Sequence, residues 1–436
     1  MDPHDTLPSL EFIRSLKAVS RPPGFDISSG LEKIISREGL QGGFNALLRS
    51  EVALGLRKPA LGFYDHALHL IGGAQKYGLT LVSALRDLFD ITLIANKDIR
   101  LDDFQGWYGL DLSGCAVKVL KIPFFEEKGV SFLDPACVST KVENPFHAVS
   151  RESGGYDVFV NNSMNEMVFP LANVSVLICH FPERLPQSYF YPDQYSHVVY
   201  NSRYTAEWIK RMWKLDPHVH IYPPVDLEPG GAVLPKKKLI LSVARFEPEG
   251  TKRQREMIES FLTVERLYPE AVSGWKFILA GGSEPKNRYL EILRGLTAGL
   301  PDGSVELRVN IPASELRVLY QEASIFWHIC GIVHDHPSEV EHFGMTTVEA
   351  MQNRAVPVVY DGGGLREIVD HGVDGIRVRT KGELLEHSLR LIRDPGLVVR
   401  LGEAAQLKAR NFSRARFEER VRDFFGRVLS GYSDPW

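Results

Sequence analysis

Residues 341–350 read EHFGMTTVEA. Two carboxylates, Glu341 and Glu349, flank a Phe-Gly turn and two threonines that open an apolar helical run. The N–H groups and the dipole of a helix start attract phosphate, and carboxylates accept hydrogen bonds from hydroxyl groups. The stretch therefore predicts a helix whose amino end, with an acid on either side, holds a sugar diphosphate.

The same residues also admit a purely structural interpretation. Thr346-x-x-Glu349 fits a capping box, in which the glutamate reaches back to the N–H of the capping residue. A cap at the mouth of a site can also serve a ligand, so the two interpretations are compatible.

The composition around this stretch is that of a globular protein with more than one domain. The chain has 436 residues, of which 44% are hydrophobic and 24% charged, so we expect two or three domains. A formal net charge of −4 argues against a dedicated nucleic-acid binder, which normally carries a basic face.

Cysteines and chain start indicate a cytoplasmic protein. The four cysteines lie far apart with no C-x-x-C pair, which predicts reduced thiols; they are Cys115, Cys137, Cys179 and Cys330. The first residues lack the basic region and apolar core of a signal peptide. No apolar run approaches the roughly 20 residues of a membrane-spanning helix. Peripheral attachment to the inner face of the membrane is the alternative location.

Short apolar runs alternate with helical patterns through two stretches, residues 59–228 and 238–412. This alternation predicts an α/β protein with two doubly wound, Rossmann-like domains. A linker near residues 229–237 joins them, which predicts domains that face each other across a cleft. Ligands of such folds sit at the carboxyl ends of the strands.

The two ends of the chain lie outside this alternation. Residues 1–58 are predicted to form a helical extension that packs on its own protein. The alternative roles for this extension are a dimer contact and a membrane-surface arm. Residues 413–436 predict a last helix that returns to the N-terminal domain. Its apolar face consists of Phe417, Val421, Phe424, Phe425 and Val428.

Polar residues stand at the predicted strand ends. Arg245 directly follows the strand at 239–243 and Lys252 comes seven residues later, so their charges can neutralise a diphosphate. His180 ends a strand of the first half, where it can orient a reacting hydroxyl, although a structural role is the usual one for such a histidine.

Glycine pairs and runs also follow the strands. Gly281 and the 361–364 run stand at strand ends, where a ligand can approach the backbone closely, although most such clusters are only turns. In the first half, Gly72 and Gly73 precede a helix, which leaves room for a ligand at the helix start.

No metal or nucleotide-loop motif is complete. His334 and His336 invite a metal-site interpretation, but no second histidine pair completes it, so a hydrated loop is favoured. G-x-G-x-x-G, G-x-x-x-x-G-K-[ST], H-E-x-x-H and G-x-S-x-G are all absent. A dehydrogenase, a P-loop ATPase, a zinc protease and an α/β-hydrolase are therefore disfavoured.

These residues resemble the retaining glycosyltransferases of family 4, which have the GT-B fold. Glu341 and Glu349 match the family's E-x7-E motif. With Trp327-His328 and His336-Pro337, they resemble the W-H…H-P…E-H-F-G variant of bacterial members. The resemblance covers residues 59–430.

Other segments carry the same resemblance. Arg245 and Lys252 match the family's phosphate-binding Arg and Lys. Their spacing is longer than the usual R-x4-K, so Arg253 is the alternative to Lys252 as the second cation. Gly72-Gly73 is similar to the family's first glycine loop, and residues 179–182 to its H-x-P segment.

The resemblance implies sugar transfer from a nucleotide diphosphate donor with retention at the anomeric carbon. It assigns catalytic roles to His180, Arg245, Lys252 and Glu341, with Glu341 on the donor sugar. In this family the leaving phosphate takes the acceptor's proton. The Arg245 and Lys252 pair makes a bound metal unnecessary, which agrees with the missing D-x-D-type site, and no other cofactor is expected. The residues implied to bind the donor are Gly72, Gly73, Gly281, His342, Phe343, Gly344, Met345, Thr346 and Glu349, the last on the ribose.

The implied partners are a GDP-, UDP- or dTDP-linked sugar and a glycan, lipid-linked or other hydroxyl acceptor held by the first domain. A basic, aromatic segment with Trp208, Arg211 and Trp213 can touch a membrane, but packing on its own domain is favoured. The alternatives are another GT-B enzyme, such as a phosphorylase or an epimerase, and a non-catalytic nucleotide-sugar sensor.

Overall fold

The structure, a computed structural model, describes residues 52, 57–127, 138, 140–163, 166–185, 188–226, 234–300, 303–332 and 336–433. Nearly all of the predicted N-terminal extension, most of the predicted linker, Cys137 and His334 therefore lie outside the described residues. Within the described residues, no helix is long and apolar enough to cross a membrane.

The first sheet has seven strands in the order β3-β2-β1-β4-β5-β6-β7. Its strands are β1 (Ala60–Tyr64), β2 (Asp90–Ala95), β3 (Ala116–Val119), β4 (Val158–Asn161), β5 (Val174–Cys179), β6 (His197–Tyr200) and β7 (Val219–His220). The helices among them are α1 (Gly73–Leu85), α2 (Leu101–Tyr108), α3 (Pro123–Glu127), α4 (His147–Ser153) and α5 (Arg203–Trp208), which continues as a π-helical turn, Ile209–Trp213. The central strand β1 pairs in parallel with β2 and β4.

The second sheet has six strands in the order β10-β9-β8-β11-β12-β13. Its strands are β8 (Lys237–Val243), β9 (Lys276–Gly281), β10 (Val305–Val309), β11 (Ala323–His328), β12 (Val356–Tyr360) and β13 (Ile376–Val378). The helices are α6 (Gln254–Leu267), α7 (Arg288–Thr297), α8 (Ala313–Glu322), α9 (Met345–Gln352), α10 (Leu365–Ile368), α11 (Lys381–Arg393), α12 (Pro395–Ala409) and α13 (Arg414–Ser433). Here β8 pairs in parallel with β9 and β11.

Two parallel sheets with interleaved helices confirm the predicted fold class. The predicted strands agree closely with those in the structure, because strands buried on both faces appear in the sequence as short apolar runs. The sequence pattern did not predict α2, α3, α4, α11 or α12, although the last two carry readable start signals. Thr380 caps α11 by accepting from the N–H of Glu383, and Asp394 caps α12 directly before a proline.

The described chain forms two compact units. One contains the described residues up to Ile178, Leu185–Val198 and the described residues from Arg420 onward; the other contains Cys179–Arg184 and Val199–Glu419. The domain limits predicted from the sequence, and a cleft between the domains, remain predictions.

Each unit has its own apolar interior. In the first, Phe425 of α13 packs edge-on against Phe89 with ring centroids 5.8 Å apart, and Arg422 pairs with Asp87. Four residues of the predicted apolar face of α13 are buried, Phe417 in the second unit and Val421, Phe424 and Phe425 in the first, whereas Val428 is half-buried. In the second, the fully buried Trp327 packs against Phe277 and donates from its indole nitrogen to Ser388.

Candidate active site

The carboxylate of Glu341 lies at the carboxyl end of β11, in the second unit. Its Oε2 atom is 3.1 Å from the Nζ atom of Lys252, which precedes α6, and 3.2 Å from the Nε2 atom of His328, the last residue of β11. Among the described residues, none hydrogen-bonds to the other oxygen, Oε1. Oε2 of Glu341 is therefore bound by both Lys252 and His328, which leaves Oε1 to accept hydrogen bonds from a ligand.

This cluster keeps both members of the ion pair charged. Burial acts to raise the pKa of Glu341, but the charge of Lys252 and the hydrogen bond from His328 outweigh it and hold that pKa well below its ordinary value. Burial acts to lower the pKa of Lys252, but the negative charge of Glu341, assisted by that of Glu247, raises it overall. Glu341 is therefore an anion and Lys252 a cation at neutral pH.

The geometry distinguishes Lys252 from the alternative, Arg253. Arg253 has a left-handed backbone (φ of 58°) and precedes α6, and its guanidinium lies 3.0 Å from Glu339 rather than on Glu341. Lys252 is thus the basic residue that meets the first glutamate of the motif, despite the longer spacing from Arg245.

Arg245, the other predicted cation, is largely exposed. Its side chain is 69% exposed and lies 3.0 Å from Glu247. Gln254 fixes the backbone there by donating to the carbonyl oxygen of Arg245 at 2.8 Å. No described hydrogen bond or ion pair joins Arg245 to Lys252 or Glu341, so convergence of the two cations on one diphosphate remains a prediction.

The helix after Glu341 starts without a side-chain cap. Gly344, with a φ of 106°, is the N-cap of α9, and no described side chain bonds to the helix start. The capping-box interpretation is therefore wrong, because the carboxylate of Glu349 instead accepts a hydrogen bond of 2.7 Å from the hydroxyl of Tyr320. An uncapped helix start retains N–H donors for an anion.

Two glycines of the 361–364 run support the backbone of the motif. The N–H of Gly364 donates to the carbonyl oxygen of Glu341 at 2.9 Å. A Cβ atom at Gly364 would overlap the carbonyl oxygen of His342, and one at Gly363 would overlap that of Glu341. These glycines are needed for contact between main chains.

Gly281 also makes a close main-chain contact. A Cβ atom there would overlap the carbonyl oxygen of Ala244, which lies directly after β8. The glycine thus lets the two strand ends lie side by side, and its role in donor binding remains a prediction.

His180 lies in a segment that packs on the motif within the second unit. Asn201 and Thr205 donate to the carbonyl oxygen of His180 at 3.0 and 3.1 Å. The next residue, Phe181, stacks on the His342 ring with centroids 3.9 Å apart and planes 6° from parallel. The main chain of His180 and the ring of His342 are therefore fixed by neighbouring contacts.

Both histidines are neutral at physiological pH. Burial, assisted by the charge of the other ring, lowers the pKa of His180 to about 4. Burial also lowers the pKa of His342 to about 4, despite the nearby Glu341. The Nε2 atom of His342 is buried with no hydrogen-bond partner among the described residues.

We expect these histidines to make the protein less stable in mild acid. Between their unfolded pKa of 6.5 and the folded value of about 4, the unfolded chain binds protons that the folded chain does not. The free energy of unfolding should therefore fall by about 1.4 kcal/mol per pH unit for each histidine as the pH drops through this window.

Urea unfolding of wild type and His342→Phe between pH 7.5 and 5 measures this dependence. As the pH falls, the free energy of unfolding of the variant should decrease less steeply than that of wild type, by about 1.4 kcal/mol per pH unit. His371→Phe, at an exposed position, is the control and should follow wild type. Equal slopes in wild type and His342→Phe would contradict the assignment.

Gly72 and Gly73 belong to the first unit. Gly72 is the N-cap of α1 with an extended backbone, and its N–H donates to the hydroxyl of Tyr108 at 2.9 Å. Gly73 is the exposed first residue of the helix. Their roles in donor binding remain predictions.

The aromatic segment at the end of α5 and in the following π-helical turn makes contacts within the second unit. Trp213 is buried and donates to the carbonyl oxygen of Glu183 at 2.7 Å. The guanidinium of Arg211 lies over the Trp208 ring at 5.1 Å and also pairs with Glu207.

The sequence reasoning missed His328 and Tyr320 as partners of the two glutamates. The signal for His328 was its place at a strand end beside Trp327, which was used only as part of a motif. A metal site is not supported by the described residues, in which no three His, Cys, Asp or Glu side chains cluster to hold an ion. Cys330, next to the cluster, is a free thiol whose pKa burial raises to about 12.

Solved structures show which class of fold this is. The chain resembles sucrose-phosphate synthase from Thermosynechococcus elongatus with a TM-score of 0.64 and 17% identity, over 86% of this chain and 100% of that one. It resembles Anabaena HepE in complex with UDP-glucose with a TM-score of 0.60 and 16% identity, over 85% and 100%. The fold is therefore that of the GT-B glycosyltransferases, as predicted.

Sequence comparison finds a family match over part of the chain. The family profile described as "Glycosyl transferases group 1" matches residues 229–408. The match confirms the predicted resemblance to glycosyltransferases over this segment, whereas the W-H…H-P…E-H-F-G variant and retention remain predictions.

Curated relatives match about half of the chain. The human GDP-Man:Man(3)GlcNAc(2)-PP-Dol alpha-1,2-mannosyltransferase is 30% identical over 239 residues, which cover 51% of this chain and 46% of the relative. The chain thus spans about half the length of this relative.

Proposed function

We propose that the protein is a retaining glycosyltransferase that moves a sugar from a nucleotide diphosphate to a hydroxyl acceptor without a metal ion. The observation that carries this proposal is the Lys252–Glu341 ion pair beside the uncapped start of α9. The family assignment of the segment that contains both features supports it.

Lys252 and the helix start are suited to a leaving diphosphate. Its negative charge grows as the bond between the anomeric carbon and the phosphate oxygen breaks. A cation and backbone N–H groups that are already in place stabilise such charge without reorganisation. Lys252 remains protonated because its pKa is raised. Arg245 is proposed to add its charge when the donor binds.

Glu341 is suited to the donor sugar. Its carboxylate is ionised, and Oε1 has no hydrogen-bond partner among the described residues, so it can accept from a sugar hydroxyl. Glu349 is proposed to bind the ribose while Tyr320 holds its Oε2 atom. The neutral imidazole of His180 is proposed to bind a sugar hydroxyl near the anomeric carbon.

The chemical step needs no protein nucleophile. The acceptor oxygen bonds to the anomeric carbon on the face that the diphosphate leaves. The acceptor's proton passes to a phosphate oxygen of the leaving group, which balances the reaction. The product then keeps the configuration of the donor.

The names of the relatives support a proposal for the donor and acceptor classes. A relative is named for GDP-Man and a PP-Dol-linked acceptor, and a structural neighbour was solved with UDP-glucose. We propose a GDP- or UDP-linked hexose as donor, with a dTDP-linked sugar as the alternative. The acceptor is proposed to be a glycan or lipid-linked sugar hydroxyl. A cytoplasmic location, peripheral to the inner face of the membrane, suits such an acceptor.

Turnover of a donor panel tests the proposal. Purified protein is incubated with GDP-mannose, UDP-glucose and dTDP-glucose, and release of the nucleoside diphosphate is measured with and without acceptor sugars. We expect release from one donor, unchanged by EDTA, and a product with the donor's anomeric configuration by NMR. Inversion would overturn retention, and loss of activity in EDTA with return in manganese would overturn metal independence. Donor binding without any turnover would favour a nucleotide-sugar sensor.

A further inference from the structure

His328 is a rigidly placed donor to Glu341. It is the last residue of β11, is 4% exposed, and pairs through its backbone with Val359 of β12. Its Nε2 atom lies 3.2 Å from Oε2 of Glu341. A carboxylate only accepts hydrogen bonds, so Nε2 must carry a hydrogen. Among the described residues, Glu341 is the one hydrogen-bonding partner of this imidazole.

Glu341 itself lies in a loop, between a short helical turn at Pro337–Glu339 and α9. A glutamate side chain loses considerable rotamer freedom when it is fixed in one position. Lys252 alone is a poor clamp, because its ammonium is a point charge on a flexible stem. A histidine on a strand has only two side-chain torsions and therefore fixes both the position and the direction of the bond.

We propose that His328 is a positioning residue: it holds Oε2 of Glu341 together with Lys252 and so turns Oε1 towards the sugar of the donor. This inference rests on the proposed function. It places His328 behind Glu341 rather than in contact with the substrate. It also separates recognition of the sugar, through Glu341, from recognition of the diphosphate, through Lys252 and the start of α9.

The separation can be tested with two ligands. In His328→Leu we expect kcat/KM for the donor sugar to fall by about 10- to 100-fold, by analogy with the loss of residues that orient metal-binding side chains. Binding of the corresponding nucleoside diphosphate, measured by calorimetry, should stay within about twofold of wild type. His328→Gln keeps an N–H donor and should recover part of the lost activity.

His371→Leu is the matched control, because His371 is an exposed histidine of the same unit. It should leave both measurements unchanged. Unchanged donor turnover in His328→Leu would overturn the positioning role, and so would an equal loss of nucleoside diphosphate binding, which would indicate a general structural role. If the wild-type protein turned over a donor but the variant matched it, only this inference would fail. If the wild type bound and turned over no donor, the proposed function would fail with it.

Discussion

Replacing Lys252 with methionine is expected to lower kcat/KM for sugar transfer by about 10²- to 10³-fold. Lys252 is the half-buried cation that meets Glu341 at 3.1 Å, and its pKa is raised, so it provides a permanent positive charge. Loss of one group that stabilises developing negative charge typically costs about 3 to 4 kcal/mol in the transition state. Steady-state kinetics with the donor identified from the panel measure the loss.

Arg255→Met is the control for this substitution. Arg255 lies three residues further on, is 55% exposed, and pairs with Glu259 on the same helix. Its replacement should change kcat/KM by less than about twofold, because exposed pairs of this kind contribute little. Activity of Lys252→Met close to that of wild type would exclude Lys252 from the chemistry. A thermal unfolding scan distinguishes lost catalysis from lost folding.

Replacing Gly364 with alanine should destabilise the protein by about 3 kcal/mol and also impair donor turnover. The new Cβ atom would overlap the carbonyl oxygen of His342, so the main chain of the motif must move. Overpacking of this kind typically costs about 1 to 3 kcal/mol, and more when backbone must shift. Urea unfolding measures the change in the free energy of unfolding.

Gly295→Ala provides the contrast. Gly295 lies within α7, and an added Cβ atom there meets no atom within 4 Å. Alanine should stabilise the helix by about 0.5 to 1 kcal/mol. If Gly364→Ala proved as stable as wild type, the close contact between the glycine run and the motif would be wrong.

The sheets were predictable because their strands are buried on both faces. β1 and β8, for example, appear as short apolar runs that no helix pattern explains. The helices α11 and α12 were also readable, since Thr380 and Asp394 are ordinary N-caps, but their capping signals were not used. The fold was therefore largely accessible from local pattern alone.

The site was only partly accessible, because its contacts join distant residues. The motif identified Glu341, and the strand-end rule identified Lys252, which the structure places together. The sequence could not show that His328 would contact the same oxygen of Glu341, or that the Tyr320 hydroxyl would hydrogen-bond to Glu349. The capping box failed because Gly344, in a left-handed conformation, starts the helix before Thr346 can cap it. The direction of the Arg245 side chain has no signature in sequence.

The main-chain contact between the glycine run and the motif has a consequence for protein engineering. Gly363 and Gly364 contact the carbonyl oxygens of Glu341 and His342. They therefore constrain the path of the main chain but not the identity of its side chains. Met345 and Thr346, which are half-buried at the start of α9, are free of that constraint. A mutant library that randomises these two positions and keeps both glycines should therefore retain folded members while it varies how the start of α9 binds the donor diphosphate.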